Sequence, residues 1–142
     1  MNQTVLGRRQ FSVGMGAVAL GGFGLARAQG EGRIVLGQSA AFTGPAAQLG
    51  VQFNQGAKLF FDQLNAQGGV GKRMVEIRTM DDGYEPDRCA ENTRKLIADE
   101  VFALFGYIGT PTSLAALPLF TQAKLPFFAP FSGAEALRQP FN

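Results

Sequence analysis

Hydroxyl, amide and carboxylate groups that could do chemistry concentrate in two short stretches, and the chain contains no histidine at all. The first stretch is Gly109-Thr110-Pro111-Thr112-Ser113, which lies between the apolar run VFALF at residues 101–105 and a helix-compatible segment at residues 114–123. Hydroxyls and free backbone N–H groups where a strand gives way to a helix favour an anionic group, a carboxylate or a phosphate. The plainer reading of the same residues is a strand-to-helix turn whose Thr and Ser merely cap the helix. The second stretch is Asp81-Asp82, which reads either as a metal or phosphotransfer pair or as turn-forming, helix-capping acid at a strand end. A phosphoacceptor would want further acidic, hydroxyl and lysine partners at other strand ends, and no clear set is visible. Cys89, the one cysteine, is either a reactive thiol or a small buried core residue.

Without histidine and with a single cysteine, neither a His-based triad nor a Cys/His zinc site can be assembled from these residues. No catalytic residue, metal ligand or cofactor is therefore assigned. The chain has 142 residues, room for one domain, and 46% hydrophobic against 17% charged residues marks it as globular. The formal charge of +2 is unevenly placed: Arg8, Arg9 and Arg27 lie in the first 28 residues, which carry no acid. Beyond them 10 basic residues face 11 acidic ones, and no Lys/Arg cluster remains to track a phosphate backbone. Nucleic acid is thereby disfavoured as a partner.

Residues 1–28 have the layout of an export signal. Arg8-Arg9-Gln10-Phe11 precedes an uncharged stretch, residues 13–25, and Ala26-Arg27-Ala28 supplies the cleavage pattern, leaving Gln29 as the first mature residue. Thirteen helical residues cover about 20 Å against a hydrocarbon core of about 30 Å, so the segment is too short for a spanning anchor. The Arg-Arg-x-Phe core resembles a twin-arginine signal, with Gly7 where Ser or Thr is usual and Val13 where Lys is common. The expected location is the periplasm, with no membrane span in the mature chain.

The mature part, residues 29–142, must supply elements that position these groups. Residues 34–36 form a short apolar strand, followed by a small-residue loop at residues 38–45. Residues 48–66 carry Phe53, Ala57, Phe60, Phe61 and Leu64 at helical spacing, and the glycines at 68, 69 and 71 stop that helix. Residues 74–80 alternate as a second strand. Pro86 opens a second helix reaching about Asp99, with Glu91 and Lys95 in the favourable i,i+4 order. The unbroken apolar run at residues 101–105 reads as a strand buried on both faces. Pro118 should kink the following helix or confine it to one side. Residues 126–131 read as a fourth strand and residues 134–138 as a last helical turn. Such β-α alternation predicts an α/β fold, a Rossmann-like parallel sheet with helices on both faces, whose four carboxyl-end loops meet at one edge.

Five segments carry a family resemblance: FTGPAAQLG (residues 42–50), LNAQGGVGKR (64–73), DDGYEP (81–86), FGYIGTPTSLAALPLF (105–120) and PFFAPFSGAEALR (126–138). In this order they resemble the N-terminal part of a type I periplasmic solute-binding protein, from the leucine/isoleucine/valine-binding receptors of ABC importers. The resemblance covers residues 33–142 and implies one incomplete lobe of a two-lobed protein that holds its solute in the cleft between lobes. It implies a small-molecule solute and ABC permease subunits as partners, and binding without catalysis. It also implies site roles. Gly109 and Thr110 fall in the loop that grips a solute carboxylate by a hydroxyl and a backbone N–H. Phe131 falls at a carbonyl that accepts from a solute ammonium, while the hydroxyl position beside it falls on Gly133, with Ser132 one residue earlier. Leu49 stands where an aromatic residue can line the solute side chain. These departures leave open an amino acid, a carboxylate without an ammonium group, or an uncharged amide. An enzyme or a sensory ligand-binding domain on the same doubly wound scaffold is the alternative.

Overall fold

The computed structural model describes residues 32–138, in which four strands form one parallel sheet: β1 (Arg33–Ala40), β2 (Met74–Asp81), β3 (Ala103–Phe105) and β4 (Phe127–Phe128). Their spatial order is β2-β1-β3-β4, and every pairing is parallel. Helices α1 (Ala47–Ala66), α2 (Pro86–Ala98) and α3 (Thr110–Ala123) connect them in turn, and a 3₁₀ turn, Glu135–Leu137, follows. The α/β, Rossmann-like parallel sheet expected from the alternation is the architecture observed. The expected export signal, residues 1–28, lies outside the described residues.

Alternation along β3 sorts the two faces, because successive side chains of a strand point to opposite sides. Leu104 joins a buried cluster with Cys89 and Leu96 of α2, Ala116 and Phe120 of α3, and Val101 and Tyr107. Phe127 of β4 packs against this cluster, its ring stacked on Phe120 at 4.4 Å and edge-on to Tyr107 at 5.1 Å. Phe105 points the other way, toward α1, where Phe53 and Phe61 place their rings 5.8 and 5.7 Å from it. Among the described residues, one face of the sheet thus carries α2 and α3, and the other carries α1 alone.

Several boundaries differ from the sequence expectation. β1 runs on to Ala40 through Gln38 and Ser39, where a loop was expected, because both polar side chains are fully buried yet hydrogen-bonded. α3 begins at Thr110, four residues early, with Pro111 in the first turn, where no N–H is needed. It runs through Pro118 as one helix; Pro118 and Leu114 both face solvent, where the carbonyl left without a donor can be hydrated. Phe102 is exposed, so the apolar run is not buried throughout. β4 is only two residues long: Pro126 and Pro130 offer no N–H, and Ala129 takes a positive φ of 50°. Pairing resumes once beyond it, between Ile108 and Phe131.

Candidate functional site

Chain direction changes at the carboxyl ends of β1 and β3, where one connection leaves toward α1 and the other toward α3. That divergence is where open α/β sheets bind ligands. A buried amide bridge closes its floor: Gln38 Nε2 donates to the Gly106 carbonyl at 2.9 Å, and Asn54 Nδ2 of α1 donates to Gln38 Oε1 at 2.7 Å.

Above this floor the β3–α3 bend and the β4 loop are tied together. Gly109 N–H donates to the Phe131 carbonyl at 3.0 Å, and Phe131 N–H donates to the Tyr107 carbonyl at 2.8 Å. The Thr110 and Ser132 hydroxyls then lie 3.1 Å apart, and Ser132 Oγ also accepts from Ala134 N–H. Gly109 is the residue preceding α3 and makes no side-chain cap. Among the described residues the N–H groups of Thr110 and Thr112 have no backbone partner, and the first turn holds no acid. The three hydroxyls of the bend have separate fates. Thr112 Oγ1 is buried and donates back to the carbonyls of Ile108 and Gly109, and Ser113 Oγ is buried without a partner among the described residues. Only Thr110 is partly open to the edge. The bend therefore presents the Thr110 hydroxyl and its unpaired N–H at the positive end of a helix, a combination suited to a carboxylate.

Asp81 and Asp82 hold the neighbouring loops. Asp81 accepts from Phe42 N–H (2.8 Å), Thr43 N–H (3.1 Å), Thr43 Oγ1 (2.6 Å) and Gly83 N–H (3.0 Å), with Arg88 Nη2 at 3.1 Å. Burial alone would raise its pKa, but the bonds from Thr43, Phe42 and Gly83 outweigh it and hold the carboxyl far below the usual range. Asp82 is fully buried, accepting from Ser39 Oγ and Tyr84 N–H at 2.8 Å each; burial pushes its carboxyl up against those bonds. Neither acid caps α2, since the residue preceding that helix is Glu85 with no side-chain cap. Both are turn-holding groups, and among the described residues no cluster of three or more His, Cys, Asp or Glu could hold a metal ion. Cys89 is fully buried, and burial pushes its thiol up to about 12, which is the core reading rather than the reactive one.

Residues 33–142 match the family described as periplasmic binding protein. The chain belongs to the periplasmic binding proteins. Within them it falls in the type I, branched-chain amino acid branch. It is 31% identical over 86 residues to the Leu/Ile/Val-binding protein BraC3 of Rhizobium johnstonii, an alignment covering 61% of this chain and 23% of that protein. A possible leucine/isoleucine/valine-binding protein from Rhodopirellula baltica superposes with a TM-score of 0.74 at 40% identity, over 78% of this chain and 30% of that one. The substrate-binding protein LivJ of Streptococcus pneumoniae, solved with isoleucine, superposes at 0.69 with 27% identity, over 74% and 30%. The chain thus spans about a quarter to a third of the length of these relatives.

In this family member the expected site residues are unequally placed. Gly109, Thr110, Phe131 and Ser132 are brought together by the bonds described above. The Phe131 carbonyl already accepts from Gly109, so a solute would have to share it. Gly133 is exposed, and its carbonyl accepts from Arg138 Nη2 at 3.0 Å. Leu49 lies in the first turn of α1, 47% exposed, at the same edge of the sheet. Tyr84 was not read as a site residue from sequence, yet it packs directly against Gly109. Its only sequence signal was its place in the DDGYEP turn, 25 positions before its contact.

Proposed function

We propose that this chain forms the N-terminal lobe of an extracytoplasmic receptor that binds a small polar solute and delivers it to an ABC permease. Residues 1–28 serve as its export signal, so the receptor works in the periplasm. Gly109 and Thr110 grip the solute's carboxylate, Ser132 orients the Thr110 hydroxyl, and Phe131, Gly133 and Leu49 complete this wall of the cleft. The observation that carries the reading is the Thr110 hydroxyl, 3.1 Å from Ser132 Oγ, beside the unpaired Thr110 N–H at the start of α3. The relative solved with isoleucine, whose carboxylate needs such donors, supports the same assignment. No bond of the solute needs to break at these groups, since donors in a closing cleft suffice for capture and release.

The test is calorimetry on a receptor-length protein against branched-chain amino acids, simple carboxylates and their amides. Thr110→Ala is expected to weaken the bound solute by about 1–3 kcal/mol, the usual loss for a hydrogen bond to a charged group. Unchanged affinity removes Thr110 from the site, and turnover of the bound solute replaces the receptor with an enzyme.

A further inference from the structure

Tyr84 sits in a backbone conformation that L residues rarely adopt, φ 69°, in the turn between β2 and α2. Two acids keep it there. Asp82 Oδ1 accepts Tyr84 N–H at 2.8 Å, and Asp81 Oδ1 accepts the N–H of the preceding Gly83 at 3.0 Å. Asp82 is itself fixed by Ser39 Oγ, so the turn is anchored to the end of β1. Held this way, the Tyr84 ring reaches across to the β3–α3 bend. A Cβ added to Gly109 would collide with Tyr84 Cε2 and lie 2.7 Å from Tyr84 Oη. The Tyr84 ring therefore occupies the volume that a side chain at position 109 would fill. The residue is 38% exposed.

We infer that Tyr84 is a solute-binding and selectivity residue: its phenol O–H donates to the same head group that Thr110 grips, and its ring replaces the missing side chain at 109 as the wall. The inference rests on the solute site proposed above and adds its head-group preference. A phenol, the Thr110 hydroxyl and the unpaired Thr110 N–H together form a set rich in donors. Asp81 is saturated and Asp82 buried, so neither offers the solute an acceptor. Such a set favours a carboxylate over a carboxamide of the same shape, because its donors make charge-assisted bonds to ionised oxygens, while an NH₂ finds only hydroxyl lone pairs and the Phe131 carbonyl that Gly109 already uses.

The experiment uses a receptor-length protein and matched pairs of acids and amides: 4-methylpentanoate with 4-methylpentanamide, and benzoate with benzamide, alongside L-leucine. Dissociation constants are measured for the wild type, Tyr84→Phe and Thr110→Ala. Tyr84→Phe keeps the ring on Gly109 and the turn intact, so an unchanged melting temperature without solute confirms that only the hydroxyl was removed. The expected result is about a tenfold loss for the acids that bind, the scale of one charge-assisted hydrogen bond, and less than twofold for the amides. Acids within twofold of wild type in Tyr84→Phe, but weakened in Thr110→Ala, overturn the role of Tyr84 and leave the solute site standing. Equal losses for acids and amides in Tyr84→Phe overturn the head-group preference. A wild type that binds none of the acids, or a Thr110→Ala variant that binds them unchanged, overturns the site itself.

Discussion

Two neighbouring carboxyls, Asp81 and Asp82, respond to the fold in opposite senses, and their difference makes a pH prediction. The Asp81 pKa is lowered by the donors that surround it, so its contribution is fully present above the unfolded carboxyl pKa, about 3.9, and is lost as pH falls toward the folded value. The Asp82 pKa is raised by burial, so its contribution is fully present below the unfolded pKa and is lost as pH rises through the folded value. Stability should therefore rise slightly as pH falls toward 4, while Asp82 takes up its proton. It should then decline below about pH 4 as Asp81 protonates and releases Phe42, Thr43 and Gly83. Asp81→Asn is expected to cost about 1–3 kcal/mol at pH 7, the range for hydrogen bonds to a charged group, and to flatten the decline below pH 4. Urea denaturation at intervals from pH 3 to 7 measures both. An acid limb as steep in Asp81→Asn as in the wild type would assign it to other carboxyls.

At the level of elements, Gly50 shows how local propensity and packing can oppose each other. Alanine at an exposed helix interior is favoured over glycine by about 1 kcal/mol, but a Cβ on Gly50 of α1 would run into the Ala41 carbonyl at the end of β1. Backbone on both sides leaves no flexible side chain to yield. Gly50→Ala is thus expected to destabilise by about 3 kcal/mol, the upper part of the overpacking range, with the melting temperature as the readout. A neutral or stabilising result would mean that α1 does not approach β1 so closely. The same contrast explains how much was legible in the sequence. The order of elements, the α1 stop at the glycines and the Glu91–Lys95 pair, now a 2.6 Å bridge, all follow from short-range patterns. The reach of β1 through Gln38 and Ser39 did not, because their polarity reads as loop until Asn54, Gly106 and Asp82 arrive from far along the chain. In the candidate site, Thr110 and Ser132 were named singly, and only the tertiary register sets their hydroxyls 3.1 Å apart. Tyr84 was illegible for the same reason, since its contact with Gly109 has no periodic signature.

On the scale of the whole molecule, the two faces of the sheet are unequally covered, and this has a measurable consequence. Among the described residues α2 and α3 bury one face, while α1 alone lies on the other, against β2 and Phe105. Beside α1 a chain of rings runs outward: Phe105 pairs with Phe128 at 6.4 Å, Phe53 with Phe131 at 6.4 Å, and Phe60 with Phe61 at 5.7 Å. Phe60, Phe128 and Phe131 remain 62, 65 and 57% exposed, and Leu59 of the same helix 74%. Clustered apolar exposure of this kind drives association, and burying one such side chain contributes about 1.5–3 kcal/mol. Residues 33–138 produced alone are therefore expected to self-associate in a concentration-dependent way by sedimentation, and Phe60→Ser with Phe128→Ser should shift them toward monomer. Leu114→Ser, on the solvent side of α3, should not. In a protein of the length of the relatives, where further chain can cover this face, the double substitution is expected to lower the melting temperature instead. Monomeric 33–138 at high concentration, or a receptor-length protein indifferent to both substitutions, would show that the aromatic face neither needs nor receives a cover.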